Sequence, residues 1–253
     1  MFQILSRMYN RKINHFLLGL LPTFIAGKTF TLSLRDDRVN DRPRLIGISG
    51  KMGVGKSSLA MHLVNESKSR NLSYQKKSFA DKLYCMISIL INRPVQELKS
   101  NHFKSNPVEE MNGVVTGRQL LQQIGTNVIR KIHPDIWIDL LFMDYNADQN
   151  GWIIDDVRFL NELSCIKDMG GYLVYLETNN SVNEEEKNGE QNHISELITV
   201  DDQKFDYILM NSRQTDDVVV DDQLKEMANA LLNQIYGDPQ KTTFIAKYYP
   251  HLK

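Results

Sequence analysis

The sequence predicts an α/β fold, with a parallel β-sheet flanked by helices. Three observations support this prediction. Short apolar runs alternate with segments of helical periodicity along most of the 253 residues, a pattern that favours parallel strands joined by right-handed crossovers. The first apolar run leads into a glycine-rich loop and a helix, and the third ends in two aspartates. Both features are expected at the carboxyl edge of the sheet, where open α/β folds bind ligands.

The composition is that of an ordinary globular chain, with 42% hydrophobic and 24% charged residues and a net charge of −1. This charge gives no reason to expect nucleic acid as a partner. No apolar run free of charge and proline reaches the roughly 18 residues that indicate a membrane-spanning helix. The two cysteines, Cys85 and Cys165, form neither a disulfide framework nor a metal cluster. Because both lie on apolar helical faces, we expect buried free thiols.

The loop after the first strand, Leu45 to Ile48, fits the phosphate-binding P-loop pattern G-x-x-x-x-G-K-[ST]. Its glycines can take positive φ angles and direct backbone N–H groups at an anion. A lysine then supplies charge for the phosphates, and a serine supplies a hydroxyl for Mg²⁺ at the start of a helix whose dipole favours anions. The pattern predicts a nucleotide site but no particular reaction, since motors, switches and kinases share it. The predicted contact residues are Gly50, Gly53, Val54, Gly55, Lys56, Ser57 and Ser58.

The first 43 residues precede this pattern and form a predicted N-terminal extension. They contain no acidic residue before Asp36, and residues 16–21 form an apolar patch. A targeting peptide, an added helix that packs on the domain and an extension without function all fit these features. The polar segment 36–43 resembles a linker. We therefore expect a nucleotide-binding domain over 44–236 and a tail over 237–253.

After the first helix, predicted for residues 57–69, the alternation continues. A second strand is predicted for residues 74–78 and a helix for 80–91. Asp81 lies at their junction, where it either contacts a ligand or satisfies backbone N–H groups at the start of the helix. Residues 92–115 are polar and predict a mobile insertion with one short helix around 95–99.

The next predicted helix begins with a capping box formed by Thr116 and Gln119 and runs through Ile129. Its polar positions include Arg118, Gln122 and Arg130. An arginine in such a position belongs either to a solvated face or to a phosphate-binding clamp. A further helix begins at Pro134-Asp135, and Trp137 on its apolar face is either a core residue or a stacking platform.

Residues 152–156, Trp-Ile-Ile-Asp-Asp, form an apolar run that ends in acid, as in a Walker-B strand. Carboxylates at the end of such a strand can hold Mg²⁺ directly or through water. The predicted metal ligands are Ser57 and either Asp155 or Asp156. Arg158 shares a face with Asp156 if the strand continues.

The remaining elements complete the alternation. A helix is predicted over 161–169, a fourth strand over 172–177 and a fifth over 205–210. The acidic segment 179–192 predicts a long exposed loop. A final amphipathic helix begins at Asp217.

Seven strings of this chain, in this order, resemble the deoxynucleoside monophosphate kinases of tailed phages and large DNA viruses. They are LIGISGKMGVGKSSLA, SFADKL, GRQLLQQIGTNVIRKIHPDIW, WIIDDVRFLNE, IKDMGGYLVYLE, HISE and FDYILMNS, and they span about residues 44–236. The resemblance implies an adenylate-kinase-like P-loop fold with five parallel strands in the order 2-3-1-4-5. It also implies lid and monophosphate-binding insertions at about 79–145. The implied reaction uses ATP and Mg²⁺ to phosphorylate a deoxynucleoside monophosphate.

The resemblance also suggests roles for individual residues. Lys56, Arg158 and Arg130 would neutralise charge during phosphoryl transfer, and Asn211-Ser212 would border the adenine. No general base is needed because the acceptor phosphate is already ionised, so His193 would only order its loop. Residues expected to bind the acceptor are Asp81, Arg118, Gln122, Arg130, Trp137, Asp156 and Arg158.

Two other classes fit the P-loop. One is another small-molecule kinase, of the phosphomevalonate or dephospho-coenzyme A type, and the other is a nucleotide-binding module without kinase activity. The sequence lacks the N-K-x-D string with which small GTPases recognise guanine, which argues against a nucleotide switch of that class. We expect a small-molecule substrate and no nucleic acid partner, and the sequence leaves room for a homodimer. The expected location is the cytoplasm, that of the host if the protein is viral, with organelle targeting as the alternative.

Overall fold

The computed structural model describes residues 44–145, 150–178, 205–211 and 217–236. The predicted leader, the acidic loop with His193, Ser212 and the tail after residue 236 lie outside these described residues. The proposed division into leader, domain and tail therefore remains a prediction. Within the described ranges, no helix is long and apolar enough to cross a membrane.

The described strands form one five-stranded sheet in the order β2-β3-β1-β4-β5. All neighbouring strands are parallel. Both the α/β class and the strand order implied by the family resemblance are thus confirmed. The strands are β1 (Leu45–Ser49), β2 (Tyr74–Lys77), β3 (Gly151–Ile154), β4 (Tyr172–Thr178) and β5 (Tyr207–Asn211).

Helices cover both faces of the sheet. The described α-helices are α1 (Lys56–Lys68), α2 (Asp81–Ile91), α3 (Val95–Lys99), α4 (Asn101–Ser105), α5 (Gly117–Gln122), α6 (Arg130–Ile132), α7 (Ile136–Phe142), α8 (Leu160–Asp168) and α9 (Asp217–Tyr236). A 3₁₀ turn at Glu109–Met111 precedes α5, and a π-helical segment at Gln123–Ile129 joins α5 to α6.

The alternating side chains of the central strands divide the core into two clusters. Ile46 and Ile48 of β1 pack towards α1 and α9. Leu45 of β1 and Ile154 of β3 pack with residues of α2, α7 and α8 on the other face. All five residues of β1 are buried, as expected for a parallel strand covered on both sides. This central strand delivers the P-loop at its carboxyl end.

The segment 92–115 contains more structure than the sequence predicted. Besides α3 it forms α4 and the 3₁₀ turn, and Leu98, Phe103 and Val108 are buried in the cluster beside α2. The prediction of a single helix was therefore wrong. Each helical piece is too short to show periodicity. Helices α3 and α4 bury one residue each, Leu98 and Phe103, and Val108 is buried just before the 3₁₀ turn. As a consequence, Asn101 and Lys104 of this insertion line the cavity described below.

The predicted helix from Thr116 begins with the expected capping box, but it is not α-helical throughout. Its π-helical segment contains Gly125, which is buried against Leu83; a Cβ atom on this glycine would lie 2.5 Å from Leu83 Cδ2. The Gly125 carbonyl accepts a hydrogen bond of 3.0 Å from Trp137 Nε1. Segments of π-helix are often found at functional sites, and Gly125 lines the cavity described below.

The cysteines differ from expectation. Cys85 is exposed and Cys165 is intermediate, so the prediction that both are buried was wrong. Helix α2 carries more apolar residues than one buried face can hold, and Ile89 and Leu90 are exposed as well. Apolar neighbours in the sequence therefore did not show that Cys85 is buried.

Replacing Gly50 by alanine should destabilise the fold strongly. Gly50 has a φ of 143°, and a Cβ atom would lie 2.2 Å from the carbonyl oxygen of Leu176. Gly170, with a φ of 74° and open space where a methyl group would lie, is the matched control. We expect Gly170→Ala to cost about 1 kcal/mol and Gly50→Ala roughly 2 kcal/mol more, measured by urea unfolding. Equal losses would show that the loop relaxes without strain.

Candidate active site

The P-loop, Gly50–Gly55, connects β1 to α1. Gly50, Gly53 and Gly55 all have positive φ angles, of 143°, 77° and 100°, as the pattern predicted. Val54 is buried beneath the loop, and its carbonyl accepts a hydrogen bond of 2.9 Å from the Asn211 side-chain amide. Asn211 is itself buried at the end of β5. It therefore supports the loop from the sheet, and the contact of Asn211 with the adenine remains a prediction.

The cation and the hydroxyl of the motif belong to the first two residues of α1, Lys56 and Ser57. Lys56 Nζ donates to the carbonyls of Gly50 and Lys51, both at 2.6 Å. Ser57 Oγ donates to Asp155 Oδ2 at 2.5 Å, and Ser58 is exposed. The Walker-B aspartate thus reaches the P-loop serine, although the two are 98 residues apart.

The oxygens of Ser57 and Asp155 fit a magnesium ion. Mg²⁺ prefers hard oxygen ligands and is usually held by one or two carboxylates together with substrate phosphates. Among the described residues there is no group of three or more His, Cys, Asp or Glu residues that could hold a metal alone. This donor set therefore suits a metal that arrives with a nucleotide.

The two consecutive aspartates point in different directions. Asp156 accepts hydrogen bonds from Ser78 Oγ at 2.5 Å, Phe79 N at 2.8 Å and Ala80 N at 3.0 Å. Burial and the neighbouring charge of Asp155 raise the pKa of Asp156. Asp156 thus fixes the segment that leads into α2, while Asp155 contacts the P-loop helix. This geometry favours Asp155 as the metal-binding carboxylate.

A cavity of about 230 Å³ lies beside the P-loop residue Met52, between α2, α4, α5, the π-helical segment and the turn after β3. It brings together most of the residues predicted to bind the acceptor. Those that line it are Arg118, Gln122, Arg130, Trp137, Asp156 and Arg158. Asp81 is not among its lining residues.

Asp81, the first residue of α2, already has hydrogen-bond and ion-pair partners within the protein. Its carboxylate accepts from the Ser78 backbone N–H at 3.1 Å and pairs with Lys99 Nζ at 2.8 Å. This agrees with the structural alternative that the sequence left open, an aspartate at the start of a helix that accepts from a backbone N–H, here that of Ser78 just before α2. A contact with the acceptor base remains a prediction for Asp81 without geometric support.

Besides Arg130, three cations lie on the cavity wall: Lys104, Arg118 and Arg158. Within the described residues, the guanidinium of Arg158 makes no hydrogen bond or ion pair, and that of Arg118 donates to the weak acceptor Met52 Sδ at 2.8 Å. Burial, followed by the charges of Arg118 and Arg158, lowers the pKa of Lys104. Clustered cations of this kind favour an anion such as phosphate.

Arg130 is held differently from the other arginines. It forms a buried ion pair with Glu162, donates from Nη1 to the Pro134 carbonyl at 3.1 Å, and stacks with Cζ 3.9 Å from the centre of the Phe159 ring. Glu162 also accepts from the backbone N–H groups of Arg158 at 2.7 Å and Phe159 at 3.1 Å. Arg130 and Glu162 together fix the turn that presents Arg158.

The sequence prediction missed Glu162, Lys104 and Tyr84. Glu162 could have been found as an acidic residue in the first turn of α8, the position that favours backbone N–H contacts. Lys104 and Tyr84 gave no such signal, because the first lies in the insertion predicted to be mobile and the second resembles a core position. Burial and then Asp156 raise the pKa of Tyr84 to about 12, so its phenol is a neutral donor at the edge of the cavity.

Trp137 is a core residue that also reaches the cavity, and its use as a stacking platform remains a prediction. It is 5% exposed and belongs to the core cluster, and one of its surfaces lines the cavity. The indole N–H is occupied by the Gly125 carbonyl. Trp137 therefore holds the π-helical segment in place and leaves only its ring for contact with a ligand.

Comparison with known proteins gives two findings. Residues 72–221, more than half of the chain, match the family model described as deoxynucleotide monophosphate kinase. A protein of Acanthamoeba polyphaga mimivirus described as a "Putative deoxynucleotide monophosphate kinase" is 28% identical over 187 residues, which cover 67% of this chain and 89% of that protein. The family match begins after α1 and therefore does not include the P-loop.

The stability of the fold should depend on the ionisation of Glu162. Burial raises the pKa of this carboxyl from its ordinary value of 4.5 to about 7. A raised folded-state pKa means that the contribution to stability is complete below about pH 4.5 and is lost as the pH rises through about 7. Relative to Glu162→Gln, the wild-type free energy of unfolding should fall by up to about 3 kcal/mol between pH 4.5 and 8. Urea denaturation at several pH values measures this, with the exposed Glu226→Gln as control. A difference independent of pH would contradict it.

Proposed function

Because the chain belongs to the deoxynucleotide monophosphate kinase family, we propose that it transfers the γ-phosphoryl group of ATP to deoxynucleoside 5′-monophosphates and yields diphosphates. The observation that supports this most directly is the cavity with Lys104, Arg118 and Arg158 on its wall, beside a P-loop. A P-loop alone would serve many reactions. A second phosphate-binding site next to it favours transfer between two phosphate compounds.

The donor site is proposed at Gly50–Ser58. ATP supplies the phosphoryl group, and Mg²⁺ neutralises the charge that develops on it. Lys56 would exchange its carbonyl contacts with Gly50 and Lys51 for phosphate oxygens, and Ser57 with Asp155 would hold the metal. Asn211 would maintain the loop through the Val54 carbonyl.

The acceptor site is proposed in the cavity. Arg158 and Arg118 can each offer two parallel N–H groups to a phosphate, and Lys104 adds a point charge. Gln122 is a polar side chain on the cavity wall and would contact the base. Arg130 would support Arg158 through Glu162, in addition to the direct role in charge neutralisation that the sequence suggested.

Catalysis in this arrangement depends on positioning and on charge. The acceptor phosphate is ionised at neutral pH, so no side chain has to remove a proton. Lys56 and Arg158 would stabilise the charge on the transferring group from fixed positions. Asp156 would keep the entrance to α2 in place through its three hydrogen bonds. The proposed mechanism therefore requires that the turn carrying Arg158 and the start of α2 keep their positions when substrates bind.

The roles of the segments outside the described residues are separate proposals. We expect the leader to be dispensable for catalysis, since the proposed donor and acceptor residues all follow residue 43. Action in the cytoplasm and assembly as a homodimer also remain predictions from the sequence.

The acceptor is identified by an ATP-coupled assay of all deoxy- and ribonucleoside monophosphates. Phosphomevalonate and dephospho-coenzyme A are tested in the same assay as alternative acceptors. We expect activity with more than one deoxynucleotide, because the cations bind the part that all nucleotides share. The ribonucleotides should be weaker, although a pocket rejects an added hydroxyl by only about 100-fold. The measured quantity is the ratio of kcat/KM for matched deoxy and ribo acceptors. A preference for ribonucleoside monophosphates would refute the proposed substrate, and so would activity only with phosphomevalonate or dephospho-coenzyme A.

Arg158→Lys should impair use of the acceptor although it keeps the charge. Lysine cannot form the paired N–H contacts of a guanidinium, so we expect kcat/KM for the acceptor to fall roughly tenfold or more. Arg93→Lys is the matched control, because Arg93 pairs with Glu97 and Glu110 and does not line the cavity. Wild-type kinetics in a folded Arg158→Lys enzyme would show that Arg158 acts only as a point charge or not at all.

A further inference from the structure

A lysine without a role in the proposed reaction lies against the carboxylate proposed to bind the metal. Lys76 Nζ is 2.8 Å from Asp155 Oδ2, the same oxygen that accepts the Ser57 hydroxyl at 2.5 Å. The Asp155 side chain is 6% exposed and that of Lys76 is 33% exposed. The ammonium group of Lys76 therefore contacts the carboxylate that is proposed to hold Mg²⁺.

The parallel sheet places Lys76 there. In the register of β2 with β3, Lys76 lies beside Ile153, and Asp155 follows two residues later. Because strand side chains alternate, Asp155 extends on the same face as Ile153. Lys77 lies on the opposite face, with Nζ 5.0 Å from the centre of the Trp152 ring. Of these two adjacent lysines, only Lys76 pairs with Asp155.

Physical chemistry sets the two cations in competition. A carboxylate with so little exposure is costly unless an opposite charge compensates it. While the Lys76 ammonium group contacts Asp155 Oδ2, it repels a metal ion that approaches the same carboxylate, because the two positive charges would be only a few ångström apart. Lys76 is long and partly exposed, so it can leave Asp155 without disrupting the core.

We propose that Lys76 is a positioning residue that neutralises and orients Asp155 in the nucleotide-free protein and would give way when Mg²⁺ is bound with the nucleotide. The inference rests on the proposed function, because it requires a metal site at Ser57 and Asp155. Lys76 then sets how strongly the protein prefers the metal-bound nucleotide over the free one. Its ammonium group keeps the site formed while lowering the affinity for the metal.

The test compares ADP binding with saturating Mg²⁺ and with EDTA, measured by calorimetry. The ratio of the two Kd values reports the preference for the metal-bound nucleotide and removes any change in affinity that the two forms share. Lys76→Met keeps the length of the side chain and removes the charge, whereas Lys76→Arg keeps a cation. Lys77→Met removes a charge from the next residue of the same strand and is the matched control.

We expect Lys76→Met to increase the preference for Mg²⁺-ADP by about 3- to 10-fold, because the competing charge is gone. Its nucleotide-free form should also melt at a lower temperature, since Asp155 loses its counter-ion. Lys76→Arg and Lys77→Met should retain the wild-type ratio. A purely structural role of Lys76 would lower the melting temperature without increasing the ratio.

The remaining outcomes separate the two proposals. An unchanged or smaller ratio in Lys76→Met, with a normal wild-type ratio, would overturn the role of Lys76 and leave the proposed function intact. A wild-type protein that shows no preference for the metal-bound nucleotide would overturn both the metal site and this inference. Lys76→Gln is a second neutral variant, and failure of both neutral variants to fold would show an indispensable structural role instead.

Discussion

Two consecutive carboxylates at the end of β3 hold the site together. Asp155 contacts Ser57 at the start of α1, and Asp156 contacts the backbone that leads into α2. The first connection belongs to the proposed donor site and the second to the proposed acceptor site. Because the two residues are adjacent on one chain, the distance between the sites is fixed by covalent geometry and by the parallel pairing of β3 with its neighbours. Buried like charges are costly, and here each carboxylate receives its own donors.

The cavity proposed as the acceptor site contains one cation paired with a carboxylate and three cations that have no carboxylate partner among the described residues of the cavity wall. Arg130 is paired with Glu162 and stacked on Phe159, so its charge is balanced within the protein. Lys104, Arg118 and Arg158 have no such partner among the lining acids, and their mutual repulsion lowers the pKa of Lys104 after the effect of burial. Such a cluster costs stability in the free protein, and the phosphate proposed to bind there would relieve the repulsion. The same feature therefore weakens the fold and favours the ligand, as is common at functional sites.

Features with local patterns could be predicted from the sequence. The alternation of short apolar runs with helical segments predicted the five strands, and the P-loop pattern predicted three glycines with positive φ. The capping box at Thr116 was also correct, since these signals depend on residues close together in the chain. The short helix α4, the π-helical segment and the exposure of Cys85 were not predicted. Helix α4 is too short to show periodicity, Cys85 lies on a helix with more apolar residues than its buried face holds, and Gly125 is held by contacts with Leu83 and Trp137 from other elements.

By itself, the sequence determined the fold class, the place of the nucleotide loop and the family that the chain resembles, because backbone pattern and motif spacing are local properties. Only the tertiary structure decided which aspartate faces the P-loop, that Asp81 serves the start of α2, and that Arg130 is bound to Glu162. It also brought Lys104 to the cavity and Lys76 to Asp155. These outcomes depend on the direction of side chains and on the charges around them. Both are set by the packing of elements that lie far apart in the chain.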